Sequence, residues 1–390
     1  MIMLVFLTSS LSPRRCFNVK LPYIFYVYFF VSLLLLLSAY ILLGSVLGIK
    51  LREILPKTSI KLESLGGKTF AIDAYNALYQ FLAIIRQPDG TPLKDRSGKV
   101  TSHLSGLFYR TSKLLELGIK PIYVFDGTPP ALKEAEIKRR SKVKEEALVK
   151  YEKAIKEGKI EEARKYAQAT SRLKDYMQED SKKLLSLMGL PWIQAPSEGE
   201  AQAAYLTKKG DADYCASQDY DSLLFGTPKL IRNVTISGRR KIARKNSYIN
   251  VSPEIVELKK ILAANKITFE QLIDLSILIG TDFNPMGIKG LGPKTALKLI
   301  KEHGTIAKVL PHVKNNQIQF DPQEIKEIFI NPKITDDYVL KWKDVDIDGV
   351  IDFLCRKKDF SEERVNKALI KIQEGSKGIE EKTTLEQWFG

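Results

Sequence analysis

Short apolar runs that end in an acid alternate with stretches of helical periodicity along most of this chain. Residues 68–73 (KTFAID) form one such run, and residues 120–126 (KPIYVFD) repeat it. Between them, residues 74–86 read as a helix, 87–92 as a turn-rich loop and 102–117 as a second helix. Strand, helix and strand in that order predict a βαβ unit with a parallel sheet. Sites in open α/β sheets form at the carboxyl ends of strands, which is where Asp73 and Asp126 fall. Residues 129–187 read as almost continuous, highly charged helix. After it come a strand at 191–194, a helix opening at Ser197, a strand at 213–217 and an acidic turn at 218–221. A basic hairpin is expected over 232–245. Helices over 269–279 and 293–303 enclose a glycine-rich hairpin, and the last 15 residues read as a tail.

Residues 1–46 break this pattern. They hold Arg14, Arg15 and Lys20 but no acid, no charge occurs from Leu21 to Gly48, and residues 33–37 are all leucine. About 20 apolar residues suffice to span a bilayer, and basic residues ahead of them suit a signal-anchor. On composition alone, a membrane anchor is the favoured reading of this segment. The other reading is a misassigned start, with translation beginning on a Val or Leu codon at Val46 or Leu47. The remainder, from Leu47, carries 58 basic and 46 acidic residues and reads as a complete protein.

Composition narrows the chemistry. A net charge of +15 with 27% charged residues suits a globular partner of polyanions, either nucleic acid or an anionic membrane face. The three cysteines (Cys16, Cys215, Cys355) are too scattered for a disulfide framework or a cysteine zinc site. The three histidines (His103, His303, His312) show no metal-ligand spacing. Catalysis is therefore expected to run on carboxylates and metal.

The candidate carboxylates are Asp73, Asp126, Glu198 with Glu200, Asp219 with Asp221, and Asp282. Each lies where an apolar element begins or ends. Acids spaced i,i+2 on extended chain point to one side, so Asp219 and Asp221 could serve one ion. Seven acids drawn together need cations, and hard divalent ions such as Mg²⁺ or Mn²⁺ are the natural partners. Two of them can activate water and stabilise a leaving oxygen at a phosphodiester. Each acid also has an ordinary reading. Ser197 and Glu200 fit a helix capping box. Asp219 and Asp221 could cap the next helix or turn, and Asp73 and Asp126 could be turn formers. It is the set in this chain order that points to a site.

Residues 131–183 contain sixteen Lys/Arg and eleven Asp/Glu. A solvated helix pair laced with i,i+4 ion pairs explains much of this. Against it stand the cluster Lys138, Arg139, Arg140, Lys142 and Lys144, and the two-turn spacing of Lys133 and Arg140. The segment GIKGLGPKT at 287–295 fails as a Walker loop, because Pro293 occupies the lysine position. No nucleotide cofactor is expected. Pro293 suits the first position of a helix. Gly290, Gly292 and Lys294 suit a helix–hairpin–helix that grips a DNA backbone without reading its sequence.

Taken together, FAIDAYNALYQFL (70–82), TSHLSGLFYRT (101–111), VFDGTPP (124–130), APSEGEA (195–201), SQDYD (217–221) and GTD (280–282) resemble the flap endonucleases of archaeal type. These are the structure-specific 5′ nucleases of replication and repair. The resemblance runs from residue 47 to 390. It implies an α/β fold: a mostly parallel central sheet flanked by helices, with a helical arch and a helix–hairpin–helix. It implies two Mg²⁺ ions, with Mn²⁺ as a substitute, held by the seven acids. Asp73, Asp126, Glu198 and Glu200 would lie mainly around one ion, and Asp219, Asp221 and Asp282 around the other. Lys133 and Arg140 match the arch residues at the scissile phosphate, where cations offset developing charge. Tyr79 matches an aromatic that stacks on a base, against the plain alternative of a core aromatic. Arg86 and Arg110 are further expected DNA contacts.

The tail KTTLEQWF (382–389) resembles a sliding-clamp-binding motif, with Leu385, Trp388 and Phe389 as apolar anchors and Lys382 where a glutamine is usual. The expected organisation is 1–46 as an apolar extension, 47–145 as an N-terminal nuclease region, and 146–190 as the arch with its following helices. Residues 191–305 form an internal nuclease region, 306–375 a C-terminal helical region and 376–390 the clamp tail. Family chains start just before a glycine near the active site, which Gly48 fits. A misassigned start then outweighs the anchor, and the expected enzyme is a monomer in the cytoplasm, associated with the nucleoid. Alternatives kept open are another 5′ nuclease of the superfamily, an exonuclease or a bubble-cutting enzyme, and a non-catalytic DNA-binding scaffold.

Overall fold

The chain divides into residues 1–47 and residues 48–390. The computed structural model describes residues 51–389 apart from 237, 242–247, 314–317 and 319, and describes backbone alone at 164, 236, 238–241, 248–250 and 376–389. The apolar extension therefore lies outside the described residues.

A seven-stranded sheet forms the centre. Its strands are β1 (Thr58–Ser59), β2 (Thr69–Asp73), β3 (Lys120–Phe125), β4 (Trp192–Gln194), β5 (Tyr214–Ala216), β6 (Lys229–Arg232) and β9 (Glu254–Glu257). They lie in the order β1-β9-β6-β5-β2-β3-β4. The five strands from β6 to β4 are mutually parallel, and β9 and β1 add an antiparallel edge. A separate two-stranded ribbon pairs β7 (Gly238–Lys241) with β8 (Tyr248–Val251); β7 lies within the expected basic hairpin and β8 beyond its expected end at 245.

The period-2 alternation of β2 explains the layers. Phe70 and Ile72 join Leu78, Phe81, Leu104, Phe108 and Leu184 in one core. Ala71, between them, packs with Ile122, Val124, Ile193, Ala203 and Leu206 in another. Both faces are covered, which is why the parallel strands read as unbroken apolar runs. A third cluster joins Leu272, Leu275, Ala296, Ile300, Ile325 and Phe329 around the glycine-rich hairpin.

The chain leaves β2, builds β3 and β4 to one side, then returns to pair β5 on the other side of β2. Carboxyl ends of strands around such a reversal form a crevice. Asp73 closes β2, Asp126 follows β3, and the turn 217–221 follows β5.

The charged region is less continuous than its sequence suggests. A 3₁₀ turn (Ala131–Lys133) leads into helix Glu134–Lys156, followed by Ile160–Ala167 and Asp175–Leu187. Gly158, at φ +69°, breaks the first two apart. Helix Glu134–Lys156 runs across the expected 145/146 boundary without interruption. Only Glu136, Ala147 and Ala154 are buried along it, so most of its length stands in solvent. Helix Glu362–Phe389 reaches into the expected tail. Among the described residues no helix is long and apolar enough to cross a membrane.

Candidate active site

Five separate segments deliver acids to one place. Asp73 caps helix Ala74–Ile84, its carboxylate accepting the Asn76 N–H at 2.9 Å. Asp126 accepts the Gly199 N–H at 2.6 Å, at the start of helix Gly199–Lys209. Glu198 is the residue before that helix and Glu200 lies in its first turn. Asp221 opens the short helix Asp221–Leu224, two residues beyond Asp219. Asp282 follows helix Phe269–Ile279.

The acids are close enough to perturb one another. Burial pushes Asp73 up to about 6, with Glu198 adding to the rise and the Asn76 N–H opposing it. Burial, then repulsion from Asp73 and Glu198, pushes Asp126 up to about 8. Glu200 is raised well above the usual range by burial and then by Asp221, Asp73 and Asp219. Asp219 is raised in the same way by burial, Asp221, Asp282 and Asp73. All seven candidate acids therefore belong to one electrostatic set. After burial, Glu200 is raised by Asp221 and Asp219 as well as by Asp73.

The arch supplies the counter-charge. Lys133 donates to Glu198 and lies 3.4 Å from Asp282. Arg140 donates to Asp282 at 2.6 Å. Burial works against the Lys133 charge, yet Glu198 and Asp282 hold its ammonium above the usual lysine range. Two turns of helix thus bring both expected arch cations onto the same carboxylate. Among the described residues, no three His, Cys, Asp or Glu side chains converge on a single metal position in this arrangement. The donor set fits hard divalent cations nonetheless: it is all carboxylate oxygen, gathered where burial and then mutual repulsion disfavour its negative charge, which such ions would offset.

Two expectations about these acids fail. No capping box forms at Ser197. Glu198 takes the cap position without a side-chain cap, Ser197 donates to the Thr128 carbonyl at 3.0 Å, and Glu200 accepts from Ser217 at 2.8 Å. Nor do Asp219 and Asp221 align through an extended strand. Strand β5 ends at Ala216, and a turn into a helix brings the two together.

Known proteins decide the family. Residues 47–147 match the XPG N-terminal domain and residues 189–282 the XPG I-region. Flap endonuclease 1 of Pyrococcus abyssi is 54% identical over 344 residues, covering 88% of this chain and 98% of that protein. Flap endonuclease 1 of Hyperthermus butylicus is 55% identical over 330 residues, covering 84% and 94%. Among solved structures, flap endonuclease-1 from Methanococcus jannaschii matches with a TM-score of 0.66 and 45% identity, covering 84% of this chain and 98% of that one.

The chain belongs to the flap endonuclease 1 family.

The Rad2 catalytic core solved with a DNA substrate has the same fold, with a TM-score of 0.61 at 27% identity, covering 81% of this chain and 96% of that one. In the present flap endonuclease family member, Tyr79 lies in helix Ala74–Ile84, half-buried, with the Lys144 ammonium 4.4 Å from its ring centroid. It is outside the core clusters that take in its helix neighbours Leu78 and Phe81.

Arg86, an expected DNA contact, is half-buried beside the 87–91 turn. It donates to the carbonyls of Leu82 (3.0 Å) and Gly90 (2.9 Å) and to the Ser171 hydroxyl (2.9 Å). Those bonds lock the 87–91 turn and engage its guanidinium within the protein. Arg110 is exposed on helix Ser102–Glu116.

The hairpin lies between helices Phe269–Ile279 and Pro293–His303, with Gly292 as cap and Pro293 first in the helix. Its glycines serve distinct ends. A Cβ on Gly287 would sit 2.5 Å from the Ile279 carbonyl carbon, so that glycine permits the chain to fold back. Gly290, at φ +89°, and Gly292 face open space. Lys294 is exposed, 3.8 Å from Glu53. Leu385, Trp388 and Phe389 end helix Glu362–Phe389, and their side chains lie outside the described residues.

Three residues bonded to the acids, their turns or the arch cations escape a reading of the sequence. Asn76 joins Asp73 to Asp219. Glu136, buried at the base of the arch, accepts from both Arg139 and Arg140. Arg232 lies over the Tyr220 ring and donates to the Gln218 carbonyl at 2.9 Å. The i,i+3 and i,i+4 spacing of Glu136 to Arg139 and Arg140 is a visible signal, but it is shared by many surface helix pairs.

Proposed function

We propose that this chain cuts DNA where a single-stranded 5′ flap leaves a duplex, using two divalent ions held by Asp73, Asp126, Glu198, Glu200, Asp219, Asp221 and Asp282. As a member of its family it is a divalent-metal-dependent, structure-specific nuclease. The observation that carries the reading is the gathering of those acids beneath Lys133 and Arg140. Mg²⁺ is the expected ion and Mn²⁺ its substitute. When bound, such ions supply Lewis acidity toward the phosphodiester and the attacking water.

The chain's own residues do the rest. The acids lose their excess protons and orient their oxygens. Lys133 and Arg140, now paired with Glu198 and Asp282, exchange those partners for the scissile phosphate and offset charge as it develops. Tyr79 offers a ring face to a base beside the cut. Gly290, Gly292 and Lys294 hold duplex backbone, with Arg110 as a further contact. Products carry a 5′-phosphate and a 3′-hydroxyl, which suits Okazaki-fragment maturation and repair, with 5′–3′ exonuclease action from nicks and ends. Leu385, Trp388 and Phe389 anchor a sliding clamp, and the enzyme works as a monomer in the cytoplasm.

The test is cleavage of labelled flap, nicked and single-stranded DNA by the purified protein, with and without Mg²⁺. Junction-specific cutting that needs Mg²⁺ supports the reading. Binding to all three substrates without cleavage would favour the scaffold alternative.

A further inference from the structure

Asn76 stands at the centre of a hydrogen-bond relay through the acid cluster. Its backbone N–H donates to Asp73 Oδ1 at 2.9 Å. Its side-chain Nδ2 donates to Asp219 Oδ2 at 2.7 Å. One residue, in the first turn of helix Ala74–Ile84, therefore touches two acids 146 positions apart, one after β2 and one after β5. The orientation of its amide is fixed by its surroundings. Asn76 Oδ1 accepts from Gln80 Nε2 at 3.1 Å and from the Gln218 backbone N–H at 3.4 Å. Turning the amide over would aim its oxygen at the Asp219 carboxylate and its NH₂ at two donors. Gln80 is itself oriented, because its Oε1 accepts from the Thr235 hydroxyl at 2.8 Å.

The turn carrying Asp219 is also tied from its other flank. Ser217 Oγ accepts the Asp219 N–H at 3.2 Å and donates to Glu200 at 2.8 Å, while Arg232 holds the Gln218 carbonyl. The Asp219 main chain is thus fixed by Ser217, and its side-chain oxygen is fixed by Asn76. A carboxylate among like charges would otherwise be free to rotate away from its neighbours. Hydrogen bonds of this kind orient metal ligands in general.

We propose that Asn76 is a positioning residue for the metal site: it sets the spacing of Asp73 and Asp219, and through them of the two halves of the acid cluster, without touching DNA. Gln80 and Thr235 hold its amide in the productive orientation. The inference rests on the reading of the acids as metal ligands.

The test compares Asn76→Leu with the unaltered protein. Leucine keeps the backbone N–H that caps onto Asp73 and removes only the amide. Mn²⁺ binding is measured by calorimetry, cleavage is measured across a Mn²⁺ titration, and flap-DNA binding is measured in parallel. The expected result is Mn²⁺ affinity lower by about ten- to a hundredfold. With it go a lower kcat at limiting Mn²⁺ that recovers at high Mn²⁺, and flap affinity within about threefold of normal. Gln80→Leu should shift the Mn²⁺ isotherm in the same direction by a smaller factor, and Thr235→Val by less again. Those two variants decide the matter if Asn76→Leu fails to fold. An unchanged Mn²⁺ isotherm in a folded Asn76→Leu, or a loss of kcat that no Mn²⁺ concentration restores, overturns the proposal. Asp219→Asn in the same calorimeter separates the two levels. If that variant also binds Mn²⁺ normally, the reading of the acids as ligands fails; if only Asn76→Leu binds normally, the positioning role alone fails.

Discussion

Asp126 accepts the Gly199 N–H at 2.6 Å, which ties the end of β3 to the helix that carries Glu198 and Glu200. The N–H groups at a helix start favour negative charge, and this one opposes the burial and repulsion that raise Asp126. The approach is so close that a Cβ on Gly199 would lie 2.5 Å from Asp126 Oδ1.

Gly199→Ala should therefore push the Asp126 carboxylate out of register. Overpacking of this kind costs about 1–3 kcal/mol, and a thermal melt should show that loss. The displaced oxygen should also raise the Mg²⁺ concentration needed for half-maximal cleavage. A melt and a Mg²⁺ curve both matching the unaltered protein would show that the contact is relaxed at no cost.

Glu136 braces the arch cations. It is 3% exposed and accepts from Arg139 at 2.6 and 2.7 Å and from Arg140 at 2.6 Å. Removing it leaves the Arg140 guanidinium with Asp282 alone of these two acceptors. Glu136→Ala should lower kcat by about tenfold or more, since one positioned charge contributes on the order of 2–4 kcal/mol in a reacting site. Combined with Arg140→Ala the losses should not add, because both act on one group. Additive losses would assign Glu136 a separate role.

Lys294 and Arg140 should separate by their response to salt. Lys294→Ala should weaken flap-DNA binding, lower the slope of log affinity against log salt by about one, and leave kcat intact. Arg140→Ala should do the reverse. The same salt slope in both variants would make Arg140 a general backbone contact.

Stability should depend on pH in a way that bound metal reverses. The folded protein holds Asp73 up to about 6 and Asp126 up to about 8, against about 3.9 for an aspartate in an unfolded chain. Between those limits the metal-free folded state binds more protons than the unfolded state. These two groups therefore favour folding most below about pH 4, and that contribution is lost as pH rises toward 8. Divalent ions bind the deprotonated acids, so their stabilising effect should grow with pH. The rise in melting temperature on adding Mg²⁺ should be larger at pH 8 than at pH 5.5. An equal rise at both would show that metal and protons do not compete for these acids.

Much of this site is legible in the sequence because its acids sit at element ends. Asp73 and Asp126 follow apolar runs that are buried on both faces, and such runs read plainly as parallel strands. Pro293 marks the helix start within the hairpin at its true position. The hidden part depends on distant partners. Nothing local to Asn76 indicates Asp219, and nothing local to Arg86 indicates that its donors go to Gly90 and Ser171. The Ser197–Glu200 spacing points to a capping box that does not form, because Glu200 is drawn to Ser217 and the helix start is given to Asp126. Glu136 looks like one of many helix-surface acids until its burial against two arginines sets it apart.

The most direct test is single-turnover cleavage of a 5′-flap DNA by Asp126→Ala and Asp219→Ala in Mg²⁺, with binding of the same DNA measured alongside. If these acids hold the metal, cleavage should fall by about a thousandfold or more, equivalent to about 4 kcal/mol of the barrier. Flap binding, which rests on the basic residues and the hairpin, should stay within about threefold. Near-normal cleavage by either variant would contradict the metal-site account.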